Sequence, residues 1–197
     1  MGEAARKLHL SYDDYLALER ETDLRHEYLD GEAWAMAGGT PRHAVVKSNL
    51  TGLLWNRLRG RPCRAVDADL KIAIPDTGLY TYPDLSVICG ALERSAQDRN
   101  AVVNPTVLFE VLSPSTEGWD RGGKFAHYRR IPTLQHFVLV SVDLSRVELY
   151  TRTPDGRWLL SEHGPGDEVP LSAVDIAFPV DALYEGLPEE DPADEAR

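Results

Sequence analysis

The chain has 197 residues, 43% hydrophobic and 27% charged, and a formal net charge of −11. Those proportions are those of a globular protein of one domain or two small ones. They exclude a protein that coats nucleic acid by charge alone, and no apolar run approaches the ~18–20 residues needed to span a bilayer. The opening "MGEAARKLHL" has no long apolar stretch of signal-peptide type, so a cytoplasmic location is expected. The two cysteines, Cys63 and Cys89, lack metal-type spacing and are expected to be small buried hydrophobes in a reducing compartment. Residues 181–197 hold seven acids against one base. A single domain over 1–187 followed by an acidic, solvated tail over 188–197 is expected.

In chain order, "SYDDYLALERET" (11–22) predicts a short helix with Ser11 as N-cap and Asp13 and Asp14 in its first turn. "RHEYLDGEAWAMAG" (25–38) predicts a hairpin turning at Asp30-Gly31. "TPRHAVVKSNLTGLLWNRLRG" (40–60) is the clearest helix, opened by Thr40 and Pro41, with Val46, Leu50, Leu53, Leu54 and Leu58 at helical spacing and Gly60 at its end. Strand patterns follow over 63–74, 82–90 and 105–112, with a loop or short helix over 91–103. A helix is expected within 115–130, from about Trp119. Strands are expected over 134–142, 146–152 and 157–163, joined by links short enough for hairpins, and "GPGDE" (164–168) reads as a turn. From residue 40 the order is α-β-β-β-α-β, which makes an α/β domain with strands added at both ends. The third strand is apolar on both faces and so belongs in the middle of a sheet.

Two acids sit where acids are costly. Asp84 begins the strand in "YPDLSVICG", and Glu110 lies inside "PTVLFEVL" among Leu108, Phe109, Val111 and Leu112. A buried unpaired carboxylate costs several kcal/mol or takes up a proton, and two together repel. If the strands are neighbours, Asp84 and Glu110 converge at one end of the sheet, and a divalent cation relieves both penalties. Taken singly, Glu110 is equally read as paired with an Arg or Lys, and Asp84 as a strand-start residue after Pro83.

A Pro-Asp opening one strand and an acid in the next resembles the PD-(D/E)XK nuclease superfamily, whose core has the same α-β-β-β-α-β order. More closely, "HEYLDGE", "YPDLSVIC", "FEVLSPST", "DRGGK" and "HYRR", in this order, resemble a bacterial restriction-endonuclease-like family abundant in cyanobacteria. The resemblance implies a restriction-endonuclease-like fold: a central mixed sheet flanked by helices, with an extra N-terminal hairpin. It implies Asp84, Glu110 and the Val111 carbonyl as ligands of Mg²⁺ or Mn²⁺, with Glu27 as a further acid near the metal. Leu112 stands where the superfamily has its lysine. The resemblance implies that the lysine has moved to Lys124 on the following helix, where Asp120, Lys124 and Tyr128 form one stripe. His43 matches a histidine of the family and either contacts phosphate or water or caps its helix. Lys124 is equally read as a surface lysine paired with Asp120, and Glu27 as a hairpin residue that is solvated or paired with Arg25. Gly122 and Gly123 imply close backbone approach or a helix beginning only at Lys124.

The expected function is metal-dependent hydrolysis of DNA phosphodiester bonds by Asp84, Glu110, Lys124 and Glu27. The alternative is a catalytically inactive interaction module of the same fold, which the acidic balance favours. Arg57, Arg59, Arg61, Arg64, Arg121, Arg129 and Arg130 are either DNA contacts or a solvated face. Asp67 and Asp69 are read as structural or as supporting the site. DNA is the expected partner and no membrane is. A homodimer is expected because cutting both strands needs two sites.

Overall fold

The computed structural model describes residues 7–36 and 38–189. Strand β1 (Leu8–His9) leads into α1 (Tyr12–Glu21), whose N-cap Ser11 accepts the Asp14 N–H through its side chain. β2 (His26–Leu29) and β3 (Glu32–Ala35) form the expected hairpin. Asp30 and Gly31 both take positive φ, 50° and 84°, as a tight two-residue turn requires. α2 (Pro41–Leu58) starts at Thr40, whose hydroxyl accepts the His43 N–H. There follow β4 (Cys63–Asp67), β5 (Lys71–Ile74), β6 (Leu79–Thr81), β7 (Leu85–Cys89), β8 (Ala101–Val102) and β9 (Val107–Leu112). A π-helical segment, Trp119–Lys124, runs directly into α3 (Phe125–Tyr128). β10 (His136–Ser141), β11 (Arg146–Arg152), β12 (Trp158–His163), β13 (Glu168–Leu171) and β14 (Ile176–Pro179) complete the strands.

The strands build two six-stranded sheets, ordered β1-β3-β2-β6-β5-β8 and β12-β11-β10-β9-β7-β4, and a β13-β14 ribbon. In the second sheet β9 and β10 are parallel and the other pairs antiparallel. The mixed sheet expected from the α-β-β-β-α-β order is therefore α2, β4, β7, β9, the π/α3 segment and β10. One face of it packs on α2, with Val46, Leu50 and Leu54 against Leu85, Val87, Phe109 and Val140. The other face, carrying Ile88, Leu108, Leu112 and Leu139, meets Tyr128 and Ile131 and, from the first sheet, Ile72, Ile74 and Leu79. The far side of the first sheet holds α1 through a tyrosine cluster of Tyr12, Tyr15, Tyr28 and Tyr80. Behind that cluster Lys71 is buried between Asp98 at 3.0 Å and Glu19 at 3.1 Å.

Two expectations need correction, and two readings are sharpened. Residues 63–74 are two strands in different sheets, not one. Asp67 Oδ1 accepts the Asp69 N–H and turns the chain between them, so Asp67 serves the turn, while Asp69 pairs with Arg25 at 2.9 Å. The helix starts at Trp119 as expected, which decides against the alternative start at Lys124. Gly123 permits this, because a Cβ there would lie 2.0 Å from the Trp119 ring. The cysteines are joined as a Cys63–Cys89 disulfide, being register partners on β4 and β7, a pairing that their separation in sequence conceals. The expected turn follows β12, and beyond it the β13-β14 ribbon, which the sequence reading did not include, closes over the α2 face with Val169, Leu171 and Phe178. Residues 190–197 of the acidic tail lie outside the described residues. At its start the Pro188 carbonyl accepts from Arg42 at 2.6 Å.

Candidate functional site

The antiparallel register of β7 and β9 pairs Leu85 with Phe109 and Ser86 with Leu108. Continued by one residue, it sets Asp84 opposite Glu110. β7 ends there while β9 runs on to Leu112, which leaves the Val111 backbone groups without a strand partner on that side. Buried backbone groups must find partners, and side chains supply them. Asp84 Oδ2 accepts the Val111 N–H at 2.8 Å, and His43 Nε2 lies 3.0 Å from the Val111 carbonyl and 3.5 Å from Asp84 Oδ2. One helical turn along α2, Lys47 Nζ lies 3.3 Å from Asp84 Oδ1. Burial alone would raise the Asp84 carboxyl. The His43 contact, the Lys47 charge and the Val111 N–H outweigh it and hold Asp84 below the usual carboxylate range.

A second cluster adjoins the first and is centred on the Glu110 side chain. Lys124 Nζ is 3.1 Å from Glu27, 3.2 Å from Glu110 and 3.1 Å from Asp120. Tyr128 Oη donates to Glu110 Oε1 at 2.6 Å, and the Thr81 hydroxyl donates to Glu27. Glu27 comes from the first sheet, Glu110 from the second, and Asp120, Lys124 and Tyr128 from the π/α3 segment, so three elements meet at one ammonium group. All five side chains are buried, Lys124 to 6% exposure. Burial would push the Lys124 ammonium down, but Glu110 and Glu27 outweigh it and hold it well above the usual lysine range. Burial pushes the Glu110 carboxyl well above its usual range, helped by Asp120 and Asp84 and opposed by Lys124 and Tyr128.

The sequence residues thus come together, though in two linked groups. Lys124 is not a surface lysine: it does meet Asp120, and it meets Glu27 and Glu110 as well. Glu27 is neither solvated nor paired with Arg25. His43 touches Asp84 and Val111 besides having its backbone N–H capped by Thr40. Of the arginines, Arg121 is held by Glu117 at 2.6 Å and by Glu148, and Arg61 meets Asp175 at 3.2 Å. Arg57, Arg59, Arg129 and Arg130 are exposed. Cavities of about 120 Å³ beside Lys71 and about 330 Å³ beside Arg130 lie elsewhere, and neither is lined by Asp84 or Glu110. Among the described residues no three His, Cys, Asp or Glu side chains gather in a metal-binding arrangement. The set drawn from the resemblance, two carboxylates and a backbone carbonyl, needs no third such side chain.

The model of a family described as "Putative restriction endonuclease", Uma2, matches residues 12–181. The chain belongs to the Uma2 family. Two Synechocystis sp. proteins are similar to this Uma2 chain over most of their lengths. The protein slr1290 is 40% identical over 178 residues, 90% of this chain and 93% of that one. The protein sll1609 is 33% identical over 168 residues, 85% and 95% of the two chains. A crystal structure described as a "putative nuclease" from Anabaena variabilis superposes with a TM-score of 0.68 at 20% identity, covering 84% of this chain and 93% of that one. The fold of this Uma2 protein is therefore restriction-endonuclease-like.

Two residues of the site escaped the sequence reading. Lys47 stands four residues after His43 on α2, and that spacing was the available signal. Thr81 lies in a short strand of the first sheet, and nothing in its neighbourhood in sequence points to Glu27.

Proposed function

We propose that this Uma2 protein is a metal-dependent hydrolase of DNA phosphodiester bonds, its cation held by Asp84, Glu110 and the Val111 carbonyl with Glu27 nearby. The observation that carries this reading is the β7–β9 register, which sets Asp84 and Glu110 opposite each other just past the end of β7, near enough for the Asp84 charge to raise the Glu110 carboxyl. The donor set suits Mg²⁺ or Mn²⁺, since all its atoms are hard oxygens. The charge balance also suits it: Glu27, Asp84, Glu110 and Asp120 outnumber Lys47 and Lys124 by two negative charges when all are ionised. A cation there would relieve the pressure that raises the Glu110 carboxyl. The Val111 carbonyl has two lone pairs, so it can keep His43 and still serve as a ligand.

A bound divalent ion supplies polarisation of a phosphoryl oxygen and a water of lowered pKa. The chain's own residues do the rest. Asp84 stays ionised against His43 and Lys47. Lys124, expected among the catalytic residues, serves in this reading as the internal cation that keeps Glu110 and Glu27 together. Tyr128 fixes the Glu110 carboxyl by its hydroxyl.

The test is conversion of supercoiled plasmid to nicked and linear forms in Mg²⁺ or Mn²⁺ by wild type, Asp84→Ala and Glu110→Ala. Cutting by wild type alone supports the reading. Equal cutting by all three means contamination and defeats it. The net charge of −11 favours a second reading, a catalytically silent interaction module, and that reading predicts no metal-dependent cutting.

A further inference from the structure

We propose that Lys47, and not Lys124, is the ammonium that meets the scissile phosphate. This rests on the hydrolytic reading of the same site and assigns a catalytic residue within it.

The two lysines differ in what surrounds them. Lys124 is walled in by Glu27, Glu110 and Asp120, with all three oxygens within 3.2 Å of Nζ. An ammonium has three N–H groups, and three carboxylates already face them. To bond Lys124, a phosphate would have to displace one of those carboxylates from it. Lys124 therefore acts on the reaction only through the carboxylates it holds.

Lys47 sits on α2, on the Asp84 side of the site. Its side chain is 31% exposed, and among the described residues its carboxylate partner is Asp84, at 3.3 Å. A half-exposed lysine on a four-carbon stem can leave one oxygen and take another at little cost. A phosphate oxygen brought up to Asp84 stands within the swing of that stem. His43, one turn earlier, is fixed on Asp84 and the Val111 carbonyl and so holds the start of α2 over the site. Arg121 is no substitute, since Glu117 and Glu148 already hold it.

In the step itself a water oxygen bonds to phosphorus and the bond from phosphorus to the leaving sugar oxygen breaks. The water gives up its proton to solvent, and the leaving oxygen takes one from solvent. Lys47 transfers no proton. It donates hydrogen bonds to the non-bridging oxygens, where negative charge builds, and such preorganised donors are worth about 100-fold or more in rate.

The test compares wild type, Asp84→Ala, Lys47→Gln and Lys47→Arg in plasmid cleavage with enzyme in excess, beside Mn²⁺ affinity and the urea midpoint of each. The expected result is that Lys47→Gln loses about 100-fold in rate, keeps its Mn²⁺ affinity and midpoint, and is partly rescued in Lys47→Arg. A wild type that cuts no better than Asp84→Ala overturns the hydrolytic reading and this inference with it. Metal-dependent cutting by wild type, matched within about threefold by Lys47→Gln, overturns this inference alone. So does a Lys47→Gln that loses Mn²⁺ affinity in step with rate, because Lys47 would then act only by positioning Asp84. If Lys47→Gln lowers the midpoint, Lys47→Met decides by the same criteria.

Discussion

Replacing Lys124 by methionine keeps most of the stem and removes the charge. Glu27, Glu110 and Asp120, each within 3.2 Å of that charge and each buried, would then face one another with no cation among them. Breaking a buried ion pair from one side costs about 3–5 kcal/mol. Here part of the loss is recovered, because Glu110 already sits well above its usual range and can take a proton. The sign follows from that. A carboxyl whose folded pKa is raised contributes stability below its unfolded pKa and loses it as pH rises through the folded value. Lys124→Met should raise Glu110 further, so its deficit against wild type should be largest at alkaline pH and shrink on acidification. Urea unfolding of both proteins in chelator, at pH 8 and pH 5.5, measures this. We expect a deficit of about 3 kcal/mol at pH 8 and a clearly smaller one at pH 5.5. A deficit under about 1 kcal/mol at pH 8, or one independent of pH, would refute the internal-cation role.

Three further outcomes are expected. Tyr128→Phe deletes the hydroxyl that donates to Glu110 at 2.6 Å and should cost about 1–3 kcal/mol in urea unfolding. Gly123→Ala should destabilise by about 1–3 kcal/mol because its Cβ meets the Trp119 ring, whereas Gly122→Ala, with open space around it, should be neutral or stabilising by up to about 1 kcal/mol. His136 accepts the Ala173 N–H at 3.1 Å through Nε2, and burial pushes its pKa down to about 4. A histidine lowered in the folded state contributes stability above its unfolded value of ~6.5 and loses it as pH falls toward 4, about 3 kcal/mol in all. His136→Gln should flatten that part of the acid limb, read from urea midpoints between pH 7 and pH 4.5.

Much of the site was legible because acids inside apolar strands are conspicuous. Glu110 among Leu108, Phe109, Val111 and Leu112 demands a partner, and Pro83-Asp84 marks where the next strand begins. The long helix and the Asp30-Gly31 hairpin were legible for local reasons, capping residues and turn chemistry. What failed was long-range. That Glu27 crosses from the first sheet to Lys124 depends on how β5 and β6 are diverted into that sheet, and the only local mark of the diversion is the Asp67–Asp69 turn. Cys63 and Cys89 meet because β4 and β7 are in register, which neither strand's pattern reveals. Lys47 looked like any helical lysine, since its meaning comes from Asp84, which lies on another element.

The central claim, that Asp84 and Glu110 share one divalent cation, is tested most directly by titrating the purified protein with Mn²⁺ and following the free ion by electron paramagnetic resonance. The account predicts one ion bound per wild-type chain and loss of that binding in both Asp84→Ala and Glu110→Ala. Undiminished binding in either variant, or none in wild type, would contradict it.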